Sequence, residues 1–331
     1  MTTIDRPVLV LTDHTGDAVS GYTLTTPSAQ LLTLARGLTS AEVIAVALNP
    51  APDLDALGRQ AVARVLVPDL GAHSPRVSAV VTDALAACVE QIRPGVVLCV
   101  ANYRGREVAG RLGALLGSGA AVDVTSLEVS EEGLLASKSA LAGSWTTCLR
   151  ITRGTPVIAL RPSVVTEEDA QAPTVPERVN MPVSFSREAE GVEVLSSAEQ
   201  VSTGRVSLAE ARTVVVGGRG TDGDFSPVEA LADALDGAVG ATRVCADEGW
   251  VPRSIQIGQT GVSVSPNLYV GLGVSGAIHH TVGMRSAAHV VAVCDDPDAP
   301  IFEICDFGVV GDLFEVVPQA IEALEQARGA R

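Results

Sequence analysis

The chain has 331 residues, of which 47% are apolar, 19% charged and only 3% aromatic. This length predicts about two domains, and the aliphatic content excludes a largely disordered chain. The net charge of −16 argues against nucleic-acid binding, because a phosphate backbone requires a basic surface.

The cysteines do not predict a metal or disulfide site, and the apolar runs do not predict a membrane span. The six cysteines have no C-x-x-C spacing and most lie in apolar runs, so we expect no metal site and no disulfide framework. No apolar run approaches the roughly 20 residues that span a bilayer, so no membrane insertion is expected. The N-terminus has no basic stretch followed by a long apolar run, which predicts a cytoplasmic protein.

The first half of the chain alternates short apolar runs with amphipathic segments. The runs predict strands at 7–12, 42–48, 64–67 and 95–100, and the amphipathic segments predict helices at 27–36, 54–60, 77–92 and 104–116. Such alternation is typical of a parallel sheet with helices on both faces. Further strands are predicted at 122–129, 134–139 and 156–160, without long helices between them.

The hydrophobic periodicity fades from Pro162 to about Arg212, where Glu, Ser, Thr and Pro are frequent. This composition predicts a linker, with one possible strand at 192–195. We therefore expect an N-terminal α/β domain at 1–165, a linker and interdomain segment at 166–212, and a C-terminal domain at 213–331.

Strand and helix signals resume at Thr213. Strands are predicted at 213–216, 238–240, 267–273 and 289–294, and helices at 226–236, 276–284 and 313–327. The predicted fold class is α/β, with two doubly wound domains, of which the C-terminal one is a compact parallel-sheet domain.

Four polar, glycine-containing loops lie at or near the ends of predicted strands in the C-terminal domain. They are Gly217–Gly220, Gly240–Arg243, Gln256–Gly261 and Gly273–His280. Ligands of open α/β sheets bind at the carboxyl ends of the strands, and helix N-termini there bind anions. Each loop taken alone is equally consistent with a plain turn, and Arg243 with a surface ion pair to Asp247 or Glu248.

The segment from Val214 to Pro318 resembles the alpha subunit of electron transfer flavoproteins. The motifs that carry the resemblance are Gly-Gly-Arg-Gly at 217–220, Gly-Ala-Thr-Arg at 240–243, Gln-Ile-Gly-Gln-Thr-Gly at 256–261, Ser-Pro-Asn-Leu-Tyr at 265–269, Gly-Val-Ser-Gly-Ala-Ile-His-His at 273–280 and Asp-Pro-Asp-Ala-Pro-Ile-Phe at 296–302. The N-terminal half is similar more loosely, through strand order and Asn-Tyr-Arg-Gly-Arg-Glu at 102–107.

The resemblance implies that the C-terminal domain binds FAD. Thr260 would hydrogen-bond near flavin N5, Arg243 would lie beside the isoalloxazine ring, and His280 would face its N1–O2 edge. Asp312 would hold the adenosine end. The implied contacts are Arg219, Thr242, Arg243, Gln256, Ile257, Gly258, Gln259, Thr260, Ser275, Gly276, Ala277, Ile278, His279, His280, Cys294, Asp312 and Leu313.

Two positions depart from the family pattern. Cys294 stands where asparagine is usual, and a thiol is a poor hydrogen-bond partner for adenosine. His279 replaces a usual glutamine and adds a titratable group near the ligand.

The resemblance also implies a function. The chain would pair with a beta subunit and carry electrons on FAD from flavin-dependent dehydrogenases, such as acyl-CoA dehydrogenases, to a quinone-linked oxidoreductase, without turning over a substrate itself. Open alternatives are a bifurcating flavoprotein subunit that works with NADH and a cofactor-poor interaction subunit. A nicotinamide-dependent oxidoreductase is disfavoured, because no G-x-G-x-x-G with a following acidic residue succeeds a strand.

Overall fold

The computed structural model describes residues 2–141, 145–162, 164–197, 205–208 and 211–329. The chain divides into two compact units. The first comprises Met1–Ala140 with Thr146–Glu199, and the second comprises Leu141–Trp145 with Gln200–Arg331.

Strands and helices alternate along most of the chain up to residue 190. In chain order they are β1 (Val8–Thr12), β2 (His14–Asp17), β3 (Gly21–Leu24), α1 (Thr26–Leu38), β4 (Val43–Ala47), α2 (Leu54–Arg59), β5 (Arg64–Pro68), α3 (Ser78–Ile92), β6 (Val96–Val100), α4 (Tyr103–Leu115), β7 (Ala120–Ser130), β8 (Gly133–Ala140), β9 (Trp145–Arg150), β10 (Val157–Leu160), β11 (Glu177–Met181) and α5 (Arg187–Glu190).

These strands form a nine-stranded sheet in the order β11-β5-β4-β1-β6-β10-β7-β8-β9, beside a separate β2–β3 hairpin. The pairs from β11 to β7 are parallel, and β7 and β8 are antiparallel. Leu32 of α1 packs in the core on one face, and Leu85 of α3 and Leu112 of α4 pack on the other. Helices on both faces confirm the predicted doubly wound fold.

The segment 166–212, predicted as a linker, contains strand β11 of the first sheet. All five residues of β11 pair with β5, from Glu177 opposite Arg64 to Met181 opposite Pro68. Its sequence is mostly polar and exposed, as an edge strand allows, so hydrophobic periodicity did not reveal it. The possible strand at 192–195 does not form.

The second unit holds a five-stranded sheet. Its elements are β12 (Thr213–Gly217), α6 (Ser226–Ala234), β13 (Ala238–Ala241), α7 (Arg243–Asp247), β14 (Leu268–Leu272), α8 (Ile278–Thr281), β15 (His289–Cys294), β16 (Phe307–Val310) and α9 (Leu313–Gly329). The strand order is β13-β12-β14-β15-β16, and every pair is parallel. The predicted compact parallel-sheet domain is confirmed.

The order of this sheet defines where a ligand would bind. From β12 the chain moves outward to β13 and then crosses back to β14 on the other side of β12. This reversal opens a crevice at the carboxyl ends of β12 and β14. Helix α8 starts after the predicted residue 276, because Gly276 has φ +83°, outside the helical region, and it ends at Thr281 rather than at 284.

Two further observations concern the part of the chain that the structure describes. No helix in it has the length and apolar character that crossing a bilayer requires. No group of three or more His, Cys, Asp or Glu side chains in it is placed to hold a metal ion.

Candidate functional site

A cavity of about 730 Å³ opens at the carboxyl edge of the second sheet. This volume is typical of small-molecule and cofactor sites. Its walls come from the loops that follow β12, β13, β14 and β15 and from the loop that precedes β14. The lining residues are Arg219, Gly220, Asp222, Thr242, Arg243, Val244, Gln256, Ile257, Gly258, Gln259, Thr260, Gly273, Val274, Ser275, Gly276, Ala277, His279, His280, Cys294, Asp295, Asp296 and Ala299.

The structure brings most of the predicted site residues into this cavity, and three of them lie elsewhere. Ile278 is 61% exposed outside it, and Leu313 is buried in the apolar core. Asp312 lies before α9, where its Oδ1 accepts a hydrogen bond from the Phe314 amide at 2.8 Å. That bond gives Asp312 a helix-capping role, and its predicted contact with adenosine stays a prediction.

Several lining residues were not predicted. Asp295 and Asp296 directly follow β15, so the rule that strand ends face the ligand could have identified them. Asp222 and Val244 line the cavity beside Arg219 and Arg243, within loops that were predicted only in part.

Arg219 follows β12 in a 3₁₀ turn that starts after Gly218. A Cβ on Gly218 would lie 2.1 Å from the Gly273 carbonyl oxygen, so only glycine permits the loops after β12 and β14 to pack this closely. The Arg219 guanidinium is exposed and forms neither a hydrogen bond nor an ion pair within the described ranges. It therefore remains available to an anionic group in the cavity.

Arg243 is the first residue of α7, and the expected ion pair with Asp247 forms, while its contact with a flavin ring stays a prediction. It lines the cavity, and its Nε donates to Asp247 Oδ2 at 3.1 Å. Asp247 also accepts from Arg253 Nη2 at 2.6 Å, so one carboxylate lies between two guanidinium groups. The terminal nitrogens of Arg243 have no partner among the residues described and are free for a ligand.

The loop 256–261 is held by backbone hydrogen bonds to two neighbouring segments. The Ile257 amide donates to the Ala241 carbonyl at 2.9 Å, and the Gln259 amide donates to the His279 carbonyl at 2.7 Å. Gln256 Nε2 donates to Thr260 Oγ1 at 3.0 Å. Since this oxygen accepts, the Thr260 hydroxyl proton remains for an acceptor elsewhere, as the predicted contact with flavin N5 requires.

His280 is 6% exposed and uses both ring nitrogens within the protein. Nδ1 lies 3.0 Å from the Ile257 carbonyl oxygen, and Nε2 lies 2.7 Å from Tyr269 Oη. Because a carbonyl only accepts, Nδ1 carries the proton and Nε2 accepts from the tyrosine hydroxyl. Burial lowers the pKa of His280 to about 4, so the ring is neutral.

The expected position of His280 at the N1–O2 edge of a flavin ring stays a prediction. Among the described contacts each ring nitrogen is already satisfied by a protein group, and a buried imidazole favours such partners. The side chain lines the cavity but presents no unengaged nitrogen to it.

The two departures from the family pattern have definite environments. The His279 ring is exposed, and its Nδ1 lies 2.8 Å from Gln259 Oε1, which connects α8 to the loop 256–261. Cys294 is buried at the end of β15, and burial raises the pKa of its thiol. It therefore contributes a neutral thiol, a weak hydrogen-bonding group, to the wall.

The chemistry of the wall fits a flavin dinucleotide. Free nitrogens of Arg219 and Arg243 match a pyrophosphate and an electron-rich ring, and the Thr260 hydroxyl and Gln259 amide match heteroatoms at a ring edge. Buried Ile257 and Val274 add apolar contact area. The site thus combines apolar walls with a few polar groups, as cofactor sites do.

The comparisons with known proteins agree with this chemistry. Residues 207–285 match the family model for the electron transfer flavoprotein FAD-binding domain, and residues 8–184 match the electron transfer flavoprotein domain. The electron transfer flavoprotein subunit alpha of Mycobacterium leprae is 41% identical over 325 residues, which is 97% of this chain and 99% of that protein.

Two further relatives extend the comparison. The electron transfer flavoprotein subunit alpha of Mycobacterium tuberculosis H37Rv is 41% identical over 336 residues, covering 97% of this chain and 99% of that protein. The mitochondrial subunit alpha of Arabidopsis thaliana is 49% identical over 128 residues, or 38% of this chain and 35% of that protein. The chain belongs to the family of electron transfer flavoprotein alpha subunits.

Proposed function

We propose that this chain is the FAD-holding subunit of a heterodimeric electron carrier, and that its partner is an electron transfer flavoprotein beta subunit. The observation that carries the proposal is the cavity in the domain that matches the FAD-binding model, with unpaired arginine nitrogens in its wall. Bound FAD supplies one-electron and two-electron redox chemistry.

The residues of the chain bind and orient the cofactor. Arg219 takes the pyrophosphate, because it is the exposed arginine of the wall that lacks an internal partner among the described residues. Arg243 places its free terminal nitrogens beside the ring, where positive charge favours the reduced, electron-rich form. The Thr260 hydroxyl donates to a ring nitrogen.

His280 acts through position rather than through charge. Its neutral ring is fixed by Tyr269 on one side and by the Ile257 carbonyl on the other. It therefore fixes the backbone of the loop 256–261 and so positions the polar groups of that loop. The expected contact between the imidazole and the flavin stays a prediction beside this role.

The proposed electron donors and electron acceptors are those of the family. Flavin-dependent dehydrogenases, among them the acyl-CoA dehydrogenases of fatty-acid oxidation, would deliver electrons, and a quinone-linked oxidoreductase would accept them. The carrier would turn over no organic substrate itself.

The stoichiometry of FAD in the complex tests this proposal. The chain is co-expressed with an electron transfer flavoprotein beta subunit, the heterodimer is isolated by size exclusion, and extracted FAD is counted per heterodimer. One FAD supports the proposal, whereas none favours the cofactor-poor interaction subunit and two favour the bifurcating alternative. Arg219→Ala should lower FAD occupancy, whereas Arg253→Ala, outside the cavity wall, should retain it.

A further inference from the structure

A second cavity, of about 810 Å³, lies at the carboxyl edge of the nine-stranded sheet in the first unit. Thr12 at the end of β1, Pro68 at the end of β5 and Asn102 before α4 contribute to its walls. The chain runs outward from β1 through β4 to β5 and then returns to β6 on the other side of β1. Ligands of open parallel sheets bind at such a reversal.

The wall of this cavity carries positive charge in an acidic chain. It contains three arginines and two aspartates, although the net charge of the chain is −16. Arg104 is paired with Asp13, which also accepts from Asn102 Nδ2 at 3.2 Å. The guanidinium groups of Arg76 and Arg178 are exposed and have no hydrogen bond or ion pair within the ranges described. Two unpaired guanidinium groups in one cavity wall favour an anionic ligand.

Helix α4 adds a second attraction for an anion. It is 13 residues long and begins at Tyr103 in the cavity wall. Asn102 Oδ1 caps the Gly105 amide at 2.8 Å, and the other first amides have no intrahelical acceptor. Amides at the start of a helix of this length bind phosphate and carboxylate groups.

His14 supplies an independent indication that a polar partner is missing. It lies in the cavity wall, and both of its ring nitrogens are buried without a hydrogen-bond partner among the residues that the structure describes. Burial lowers the pKa of His14, opposed by the nearby carboxylates of Asp53 and Asp13. Buried polar atoms in native proteins nearly always have a partner, so an unsatisfied pair marks a place for a group that the chain does not provide.

We propose that this cavity binds a nucleoside phosphate, with Arg76 and Arg178 on the phosphate groups. The volume greatly exceeds that of an inorganic anion and lies in the range that small-molecule ligands occupy. Leu48 and Leu70 provide apolar surface for a planar base, and the Asn49 side-chain amide nitrogen provides a donor for its edge, since Asn49 Oδ1 already accepts from the Ala51 amide at 3.1 Å. The site shares no residue with the FAD cavity, so it stands independently of the proposed function.

Isothermal titration calorimetry of the intact FAD-containing heterodimer with ADP tests the proposal. The double variant Arg76→Ala/Arg178→Ala should weaken ADP binding at one site by about tenfold or more, because it removes charge-assisted hydrogen bonds. The control Arg187→Ala removes an exposed arginine of the same unit outside the cavity and should leave the affinity unchanged. FAD content and the unfolding midpoint of each variant report whether it folds.

Two further probes locate the site and define its ligand. Hydrogen exchange should slow on ADP binding in peptides that contain 69–76 and 102–105, and not in the double variant. Adenosine and inorganic phosphate should each bind at least tenfold more weakly than ADP. The proposal is overturned if ADP does not bind, if it binds the double variant with unchanged affinity and stoichiometry, or if phosphate alone binds as tightly as ADP.

Discussion

Arg243 offers the sharpest test of how the cavity wall tunes a bound flavin. A charge-assisted hydrogen bond contributes about 1.5–3 kcal/mol, which corresponds to roughly 65–130 mV for a one-electron couple. The Arg243 side chain is 64% exposed and shares Asp247 with Arg253, so solvent and a carboxylate both screen its charge. We therefore expect Arg243→Ala to lower the first one-electron reduction potential by about 65 mV, at the lower end of this range.

The assay is a reductive titration of the purified heterodimer against a reference dye, with FAD content measured in parallel. Arg253→Ala is the matched control, because it removes the same charge from the same aspartate but lies outside the cavity wall. It should shift the potential much less. An unchanged potential in flavin-replete Arg243→Ala, or equal shifts in both variants, would refute the assignment of Arg243 to the ring.

Three further outcomes are expected. Gly276→Ala should destabilise the heterodimer and reduce its FAD content, because φ is +83° and a Cβ would lie 2.3 Å from the Ile301 amide nitrogen. The control is Gly249→Ala, where φ is +75° and a Cβ would have no atom within 4 Å. It should lower the free energy of unfolding, measured with denaturant, by only about 1 kcal/mol. His280 has a pKa of about 4 in the folded state and 6.5 when unfolded, so the unfolded state binds more protons and the free energy of unfolding should fall as pH falls from 6.5 to 4. His280→Asn should flatten this dependence, and unchanged curvature would contradict the buried neutral ring. Tyr269→Phe should cost about 1–3 kcal/mol by leaving His280 Nε2 unsatisfied, and a neutral effect would argue against their hydrogen bond.

The sequence predicted those parts of the fold in which burial imposes a clear pattern. The central strands β1, β4 and β6 are buried at every residue, so their apolar runs identify them. The edge strands β11 and β16 are mostly exposed: β11 is mostly polar, and β16 has only the short sequence Phe-Gly-Val-Val, so neither shows the fully buried apolar run of a central strand. Their existence depends on contacts that are distant in sequence.

Some features of the candidate site could likewise be predicted from local sequence, and others could not. Loops at strand ends placed Arg219, Arg243 and Thr260 in one cavity, because parallel strands bring their carboxyl ends to one edge. The partners of His280 were not predictable, since the bond to Tyr269 spans 11 residues and depends on how α8 packs over β14. The second cavity was not predicted, although it too lies where parallel strands of one sheet end.

We expect the heterodimer to carry electrons on FAD held by this chain. Stepwise reduction with dithionite under anaerobic conditions, followed by absorbance, tests it most directly. The expected result is flavin bands that bleach in two successive one-electron stages, with one FAD per heterodimer. A correctly folded but colourless heterodimer would contradict it and would identify the chain as an interaction subunit without its cofactor.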